Sequence, residues 1–173
     1  RFPRNTAIIF EGRRIPYRQL KTLVEHLSGA LRSLGVQAGD RVMLLLPNLP
    51  QMVIAFFATL EAGAVAVFTL PATEPEELIR QITLTGARIL FVLDRSQLLI
   101  SGLIELSRKD PSFPLEKIVL VNPFDYLPWL KRFLAKATRR SRMAYKLQPG
   151  QKLTVHEFSR LAGARPHGHD DLE

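Results

Sequence analysis

The sequence between residues 39 and 71 constrains the fold most strongly, because it holds three apolar segments in close succession. Residues 41–46 and 64–70 are apolar runs too short for helices, and each is followed by a proline, which is typical of buried strands. Residues 51–62 are apolar on nearly every face, which predicts a largely buried helix. Strand, helix and strand with short connections form a βαβ unit, which predicts an α/β fold with a parallel sheet and flanking helices.

The ends of this central helix carry their own signals. Asn48 is predicted to cap the helix, with Pro50 in its first turn, and Gly63 is predicted to end it. Upstream, residues 7–11 and 14–17 flank a Glu-Gly turn, which predicts an N-terminal β-hairpin.

The chain on either side of the central unit also consists of predicted helices and strands. The hairpin is followed by a predicted amphipathic helix over residues 17–34, in which leucines recur at helical spacing. The elements predicted beyond residue 71 are a helix capped by Thr73 and ended by Gly86, a strand at 88–93, a helix at 97–108 and a strand at 117–121. The pattern thus predicts four parallel strands.

Three regions are expected along the chain. Residues 1–122 form the α/β core, and residues 123–150 form a basic insert whose helix, from about 127 to 140, Asp125 is predicted to cap. Residues 151–173 are predicted to hold a short extended piece at 153–155, a short helix at 156–161 and a linker.

Composition narrows the class of protein. At 173 residues, with 46% apolar and 23% charged residues, the chain suits a soluble globular domain. Cysteine is absent, so disulfides and thiolate chemistry are excluded. No apolar run approaches the roughly 20 residues that span a bilayer. We therefore predict a cytoplasmic location.

The positive charge is concentrated in one segment. The formal net charge is +8, and residues 126–147 hold seven basic residues and no acidic one. The remaining residues carry 17 basic and 16 acidic side chains, or +1. Residues 126–147 therefore provide nearly all of the excess positive charge.

This segment has the pattern of a basic amphipathic helix with aromatic residues at its apolar border. Three interpretations stay open: a helix packed on its own domain or on a subunit, a helix lying on an anionic membrane surface, and a phosphate-binding helix for nucleic acid. The membrane interpretation implies a peripheral protein at the inner membrane face. Its candidate membrane-surface residues are Trp129, Lys131, Arg132, Phe133, Lys136, Arg139, Arg140, Arg142 and Lys146.

The sequence contains no recognisable catalytic constellation. The phosphate-binding patterns GxxxxGK[ST] and GxGxxG and the nucleophile pattern GxSxG are all absent. His167 and His169, with the two aspartates that follow, are predicted to lie in a solvated linker rather than a metal site. His26 is predicted to be a surface residue, and His156 a structural residue at the start of a short helix.

Several segments, in consistent order, resemble the opening of the adenylate-forming superfamily, which comprises acyl-CoA synthetases, luciferases and nonribosomal-peptide adenylation domains. They are residues 14–20 (RIPYRQL), 39–48 (GDRVMLLLPN), 60–67 (LEAGAVAV), 71–78 (PATEPEEL) and 86–88 (GAR). Residues 125–132 (DYLPWLKR) and the basic stretch after them resemble the insert of bacterial long-chain fatty-acid–CoA ligases.

The resemblance implies an activity for a longer parent protein. The parent is expected to join a fatty acid to ATP with Mg²⁺, and then to transfer the acyl group to CoA. The phosphate loop that follows a segment like residues 169–172 in the superfamily is missing, as are its adenine, ribose and lysine motifs. The resemblance therefore implies an inactive N-terminal fragment that carries no catalytic, cofactor-binding or metal residue.

Other interpretations of the chain's function stay open. The chain could instead be a stand-alone binding or scaffold domain with the same fold, or part of another adenylate-forming ligase. Self-association through a free sheet edge is a further expectation, and nucleic acid is not expected as a partner.

Overall fold

A computed structural model of the chain describes residues 2–128 and 152–163. In these two ranges the chain forms seven strands and five helices. They are β1 Thr6–Phe10, β2 Arg13–Pro16, α1 Tyr17–Ser33, β3 Arg41–Leu45, α2 Pro50–Glu61, β4 Val65–Phe68, α3 Pro75–Thr85, β5 Ile89–Leu93, α4 Gln97–Lys109, β6 Lys117–Val121, β7 Thr154–Glu157 and α5 Phe158–Leu161.

The first two strands form the predicted antiparallel hairpin. Its turn places Glu11 at φ 52° and Gly12 at φ 87°, and two successive positive φ values match the twist of the flanking strands. Ile15, which is fully buried, pairs with Ile8 on the inner face of the hairpin. The hairpin therefore packs on the domain through one face only.

The other five strands form one parallel sheet in the order β4-β3-β5-β6-β7. The chain moves from β3 outward to β4, then crosses back to β5 on the other side of β3. The predicted βαβ unit and α/β class are confirmed. Four parallel strands were predicted, and the fifth is β7, which pairs with β6.

Both faces of this sheet are covered by helices. The core on one face joins α1, α2 and α5 to residues such as Phe91, and the core on the other face joins α3 and α4 to residues such as Leu90. Because successive side chains of a strand point to opposite faces, both must be apolar when both faces are buried. This explains the unbroken apolar run ILFVL in β5.

Two predicted side-chain caps are wrong. Leu49, rather than Asn48, occupies the N-cap position of α2, and no side chain caps this helix. Glu74, rather than Thr73, occupies that position in α3, and the Thr73 hydroxyl lies 3.1 Å from the Thr69 hydroxyl instead. In both helices a proline occupies the first turn and needs no hydrogen-bond acceptor for its nitrogen.

Two further expectations need correction. Helix α2 is less buried than predicted, since Phe57 and Leu60 are 45% and 48% exposed. It packs beside β4, which ends the sheet among the described residues, so part of its surface faces solvent. His156 lies within β7 rather than at the start of a helix, because the short helix begins at Phe158.

Candidate functional site at the carboxyl edge of the sheet

The carboxyl edge of the sheet is the first place to seek a ligand site. In doubly wound folds, ligands bind outside the carboxyl ends of the strands, where the strand order reverses. Here the reversal lies between β3 and β5. The loops that follow β3, β5 and β6 all emerge at this edge, so their side chains are the candidates.

Gln51 is the most buried polar side chain at this edge. It lies in the first turn of α2, just after the β3 loop, and is 0% exposed. Its Nε2 donates a hydrogen bond of 2.8 Å to the main-chain carbonyl oxygen of Asn122, which directly follows β6. Its Oε1 has no hydrogen-bond partner within residues 2–128 and 152–163.

Asn122 organises the loop after β6. Its Oδ1 accepts a hydrogen bond from the amide of Phe124 at 2.9 Å, and its carbonyl oxygen also accepts one from the amide of Asp125 at 3.2 Å. The amide of Asp94 donates to the carbonyl oxygen of Val121 at 2.9 Å, which links the β5 and β6 loops. Three loops of the edge are therefore held together by hydrogen bonds.

Tyr126 brings a second buried polar group to this loop. The residue is 3% exposed, and its hydroxyl has no hydrogen-bond partner among the residues that the structure describes. The guanidinium of Arg13 lies 5.4 Å from the centre of its ring. Burial raises the pKa of the phenol well above its usual value, so the group stays neutral at physiological pH.

The two buried polar side chains at this edge, Gln51 and Tyr126, offer neutral hydrogen bonding, whereas Asp94 and Asp125 on its loops are only partly buried. A buried polar atom without a partner costs about 1–3 kcal/mol, so the two orphan oxygens mark places where water or another polar group fits. In the described part of the chain, no group of three or more His, Cys, Asp or Glu residues could hold a metal ion. The described residues at this edge do not by themselves fit a triphosphate or Mg²⁺.

The opposite edge of the sheet carries an ion-pair network instead. Arg88 donates to Asp40 at 2.9 Å and to Glu116 at 2.8 Å, and Lys117 lies 3.3 Å from the same Glu116 carboxylate. The hydrogen bond from Arg88 is the main reason why the pKa of Glu116 is lower than usual. These groups join the amino ends of adjacent strands, so their role is structural.

An apolar surface extends along the outer strand of the sheet. The ring centres of Phe56 and Phe57 are 5.1 Å apart, and those of Phe56 and Phe68 are 5.4 Å apart. Around them, the side chains that are about half exposed or more are Phe57, Leu60, Val65, Phe68 and Leu70. We call this set the β4 surface; Val65 and Phe68 lie on opposite faces of the strand, so the set surrounds the outer edge of the sheet, where another chain can pair.

The candidate residues predicted from the sequence differ from the residues described above. All nine candidate membrane-surface residues, from Trp129 to Lys146, lie outside the described residues, as do His167 and His169. His26 is exposed on α1, as predicted. Among the helices that the structure describes, none combines the length and apolarity that a bilayer span requires.

Sequence reasoning missed Gln51, Asn122 and Tyr126. The available signal was position: a polar residue opening an apolar helix, and polar or aromatic residues directly after a buried strand. Position alone does not reveal burial, because the Gln51–Asn122 pair joins residues 71 apart in the chain.

Comparison with known proteins identifies the family. The family model described as AMP-binding enzyme matches residues 1–156. The long-chain-fatty-acid–CoA ligase of Bacillus subtilis is 34% identical over 159 residues, covering 92% of this chain and 27% of the ligase. An acetyl-coenzyme A synthetase of Desulfatibacillum aliphaticivorans is 39% identical over 95 residues, covering 51% of this chain and 15% of that enzyme.

Solved structures agree on the fold. The anthranilate CoA ligase AuaEII, in complex with anthranoyl-AMP, superposes with a TM-score of 0.65 at 25% identity, covering 95% of this chain and 26% of that one. The acetoacetyl-CoA synthetase of Streptomyces lividans has a TM-score of 0.61 at 22% identity, covering 88% of this chain and 21% of that one, and supports the fold alone. The chain thus spans about a quarter of these relatives or less, and it belongs to the family of AMP-binding, adenylate-forming enzymes.

Proposed function

We propose that the protein is an ATP-dependent ligase that activates a long-chain fatty acid and transfers it to CoA. The acid's carboxylate attacks the α-phosphorus of ATP, which gives acyl-AMP and pyrophosphate. The thiol of CoA then attacks the acyl carbonyl and displaces AMP. One observation carries the choice of acid: the match to the long-chain ligase covers 92% of this chain, whereas the match to the acetyl-CoA synthetase covers 51%.

The described residues have a supporting role in this proposal. They build the parallel sheet and fix the loops at its carboxyl edge, where Gln51 ties α2 to the loop after β6. We assign them no catalytic step; in the described ranges, no group of three or more His, Cys, Asp or Glu residues could hold a metal ion. The 173 residues alone are proposed to have no catalytic activity and to bind no ATP, Mg²⁺ or CoA.

The basic segment is proposed to contact the membrane from which a long-chain acid is drawn. Seven basic residues within 126–147, with no acidic residue among them, favour an anionic lipid surface. The protein would then be cytoplasmic and peripheral. Cosedimentation with phosphatidylglycerol vesicles should weaken in high salt. Salt-independent cosedimentation, or none, would contradict this proposal.

A second candidate function is another ligase of the same superfamily. The fold match to an anthranilate CoA ligase supports it, because that enzyme acts on an aromatic acid. A third candidate, a binding or scaffold domain without chemistry, is equally compatible with the absence of the patterns GxxxxGK[ST], GxGxxG and GxSxG from the sequence. The three candidates differ in the products that they form.

A panel of acids separates these candidates. The full translation product of the gene is incubated with ATP, Mg²⁺, CoA and either palmitate, acetate or anthranilate, and the acyl-CoA products are measured by mass spectrometry. The proposal expects palmitoyl-CoA as the dominant product. Dominant acetyl-CoA or anthraniloyl-CoA would establish the second candidate, and no thioester with any acid would favour the binding domain.

A further inference from the structure

A second concentration of positive charge lies at the start of the chain. Residues 2–22 contain five basic residues and one acidic residue, whereas residues 23–128 contain eight basic and eleven acidic residues. The first segment is therefore basic on a domain that is otherwise slightly acidic. It comprises the hairpin, the residues before it and the first turns of α1.

The hairpin presents an apolar and a basic side chain on its outer face. Ile9 pairs with Arg14 in the antiparallel register, so the two side chains lie on the same face. Ile9 is 66% exposed and Arg14 is exposed, whereas Ile8 and Ile15 on the other face pack into the core. An exposed isoleucine beside an arginine is not explained by packing within the domain.

The residues before the hairpin are fixed beside it by main-chain hydrogen bonds. The amide of Tyr17 donates to the carbonyl oxygen of Asn5 at 3.0 Å, and the amide of Arg18 donates to that of Pro3 at 2.9 Å. Phe2 and Arg4 are therefore held close to the first turn of α1. Phe2 is 64% exposed and Tyr17 is 55% exposed.

These residues form what we call the hairpin surface: Phe2, Arg4, Ile9, Arg14, Tyr17 and Arg18. We propose that the hairpin surface binds an anionic phospholipid bilayer. Arginines attract the lipid phosphates, and the exposed aliphatic and aromatic side chains enter the headgroup boundary. A nucleic acid would use the same charges but gains little from an exposed isoleucine, so the apolar component favours lipid.

The chain path brings the hairpin close to the start of the basic segment. Arg13 of β2 lies over the ring of Tyr126, three residues before Trp129. The hairpin surface is nevertheless a separate site made of described residues. Its binding does not depend on the ligase reaction, so it can be tested whether or not the proposed activity is found.

Replacing the arginines tests the electrostatic contribution to vesicle binding by the hairpin surface. The triple variant Arg4→Gln, Arg14→Gln, Arg18→Gln is compared with a control that loses the same charge elsewhere, Arg95→Gln, Arg108→Gln, Arg160→Gln, all of them exposed. Binding to phosphatidylglycerol vesicles is measured by cosedimentation, with phosphatidylcholine vesicles as the neutral comparison. At about fivefold per arginine, the first triple variant should bind roughly a hundredfold more weakly than the wild type and well below the control.

A fluorescent label tests where the membrane touches the protein. The chain has no cysteine, so single substitutions Ile9→Cys and Leu98→Cys each accept one environment-sensitive dye. Leu98 is 93% exposed on α4, away from the hairpin, and serves as the control. Phosphatidylglycerol vesicles should shift the emission of the dye at position 9 to shorter wavelength and leave the dye at position 98 unchanged.

Several results would overturn the proposal. Equal vesicle binding by the two triple variants would do so, as would bound protein whose dye at position 9 does not respond, since the contact would then lie elsewhere, for example in the basic segment. A response at position 9 to duplex RNA without a response to vesicles would identify a nucleic-acid site instead. Circular dichroism of each variant verifies that the fold is retained.

Discussion

The side chain of Gln51 and the main chain of Asn122 are joined by a hydrogen bond of 2.8 Å across 71 residues of sequence. The bond connects the first turn of α2 with the loop that leaves β6, so it crosses the carboxyl edge where the strand order reverses. The Gln51 side chain is fully buried. The effect of replacing it on the free energy of unfolding therefore depends on the volume and charge of the new side chain.

Two replacements of Gln51 should separate the effect of side-chain volume on stability from the effect of side-chain charge. Gln51→Met keeps the volume and removes both the orphan Oε1 and the hydrogen bond from Nε2 to the carbonyl oxygen of Asn122, which still accepts from the amide of Asp125. The lost hydrogen bond and the removed orphan partly offset each other, so we expect a loss of about 1 kcal/mol or less in the free energy of unfolding. Gln51→Glu introduces a buried carboxyl whose pKa is raised. It is neutral at low pH, and its cost grows as the pH rises from the usual carboxyl range to the raised pKa. Urea unfolding at pH 5 and pH 8 measures the difference.

The matched control for this pair is Gln37→Glu, because Gln37 is exposed. Its stability should show little added dependence on pH between 5 and 8. A Gln51→Glu variant with the same stability loss at both pH values would contradict the burial of this side chain.

The network around Arg88 should make stability depend on pH in the acid range. The pKa of Glu116 is below its ordinary 4.5, chiefly through the hydrogen bond from Arg88. A lowered carboxyl pKa stabilises the fold fully above the ordinary value, and this stabilisation is lost as the pH falls through the lowered one. We expect Arg88→Met to cost about 1–2 kcal/mol at pH 7 and clearly less near pH 3, measured by urea unfolding.

Arg80→Met is the control for that experiment. Arg80 pairs with Glu77 three residues before it on the solvent-facing side of α3, so its removal should change stability little. If Arg88→Met cost as much at pH 3 as at pH 7, the loss would reflect packing of the side chain rather than its ion pairs.

Gly86 should not tolerate a side chain. Its φ is +64°, and an added Cβ would lie 2.6 Å from Nη2 of Arg41. Arg41 cannot move freely, because its Nε donates to the carbonyl oxygen of Thr85 and its Nη1 to that of Gly39. We expect Gly86→Ala to lower the free energy of unfolding by at least about 1–2 kcal/mol.

Gly102→Ala provides a comparison of opposite sign. Gly102 lies inside α4 with open space around its Cα. Alanine there should raise the free energy of unfolding by about 0.5–1 kcal/mol. Stabilisation by both substitutions in thermal or urea unfolding would contradict the left-handed conformation at Gly86.

The β4 surface is proposed to drive self-association of the chain. Strand β4 pairs only with β3 among the described strands and carries no charged residue. We expect the wild-type chain to associate with increasing concentration in sedimentation velocity, and Val65→Lys combined with Leu70→Lys to shift it toward monomer. Leu84→Lys combined with Leu98→Lys, which changes exposed leucines elsewhere, should not do so. A wild-type chain that is monomeric at all concentrations would refute the proposal.

Most of the fold could be predicted because apolar runs are bounded by residues with strong local preferences. Prolines after the first two buried strands and glycines at the ends of α1, α2 and α3 fix element boundaries through backbone geometry alone. Strand β7 was predicted as an isolated extended piece. Its sequence TVHE is not an apolar run, and only its pairing with distant β6 makes it part of the sheet.

The candidate site was predictable only in outline. The α/β class places ligands at the carboxyl edge, but it does not say which side chains are buried there. Gln51 is one polar residue in an apolar helix, and the same pattern would suit a solvent-facing position. Its burial follows from the path of the loop after β6, which depends on contacts distant in sequence.

We propose that the protein activates a carboxylic acid as its adenylate. The most direct test is acid-dependent exchange of labelled pyrophosphate into ATP, with the full translation product of the gene, Mg²⁺ and palmitate. We predict exchange that requires the acid and that is absent when residues 1–173 are assayed alone. Exchange by residues 1–173 alone would contradict their proposed lack of activity. No exchange by the full product with palmitate, acetate or anthranilate would refute adenylate formation by this protein.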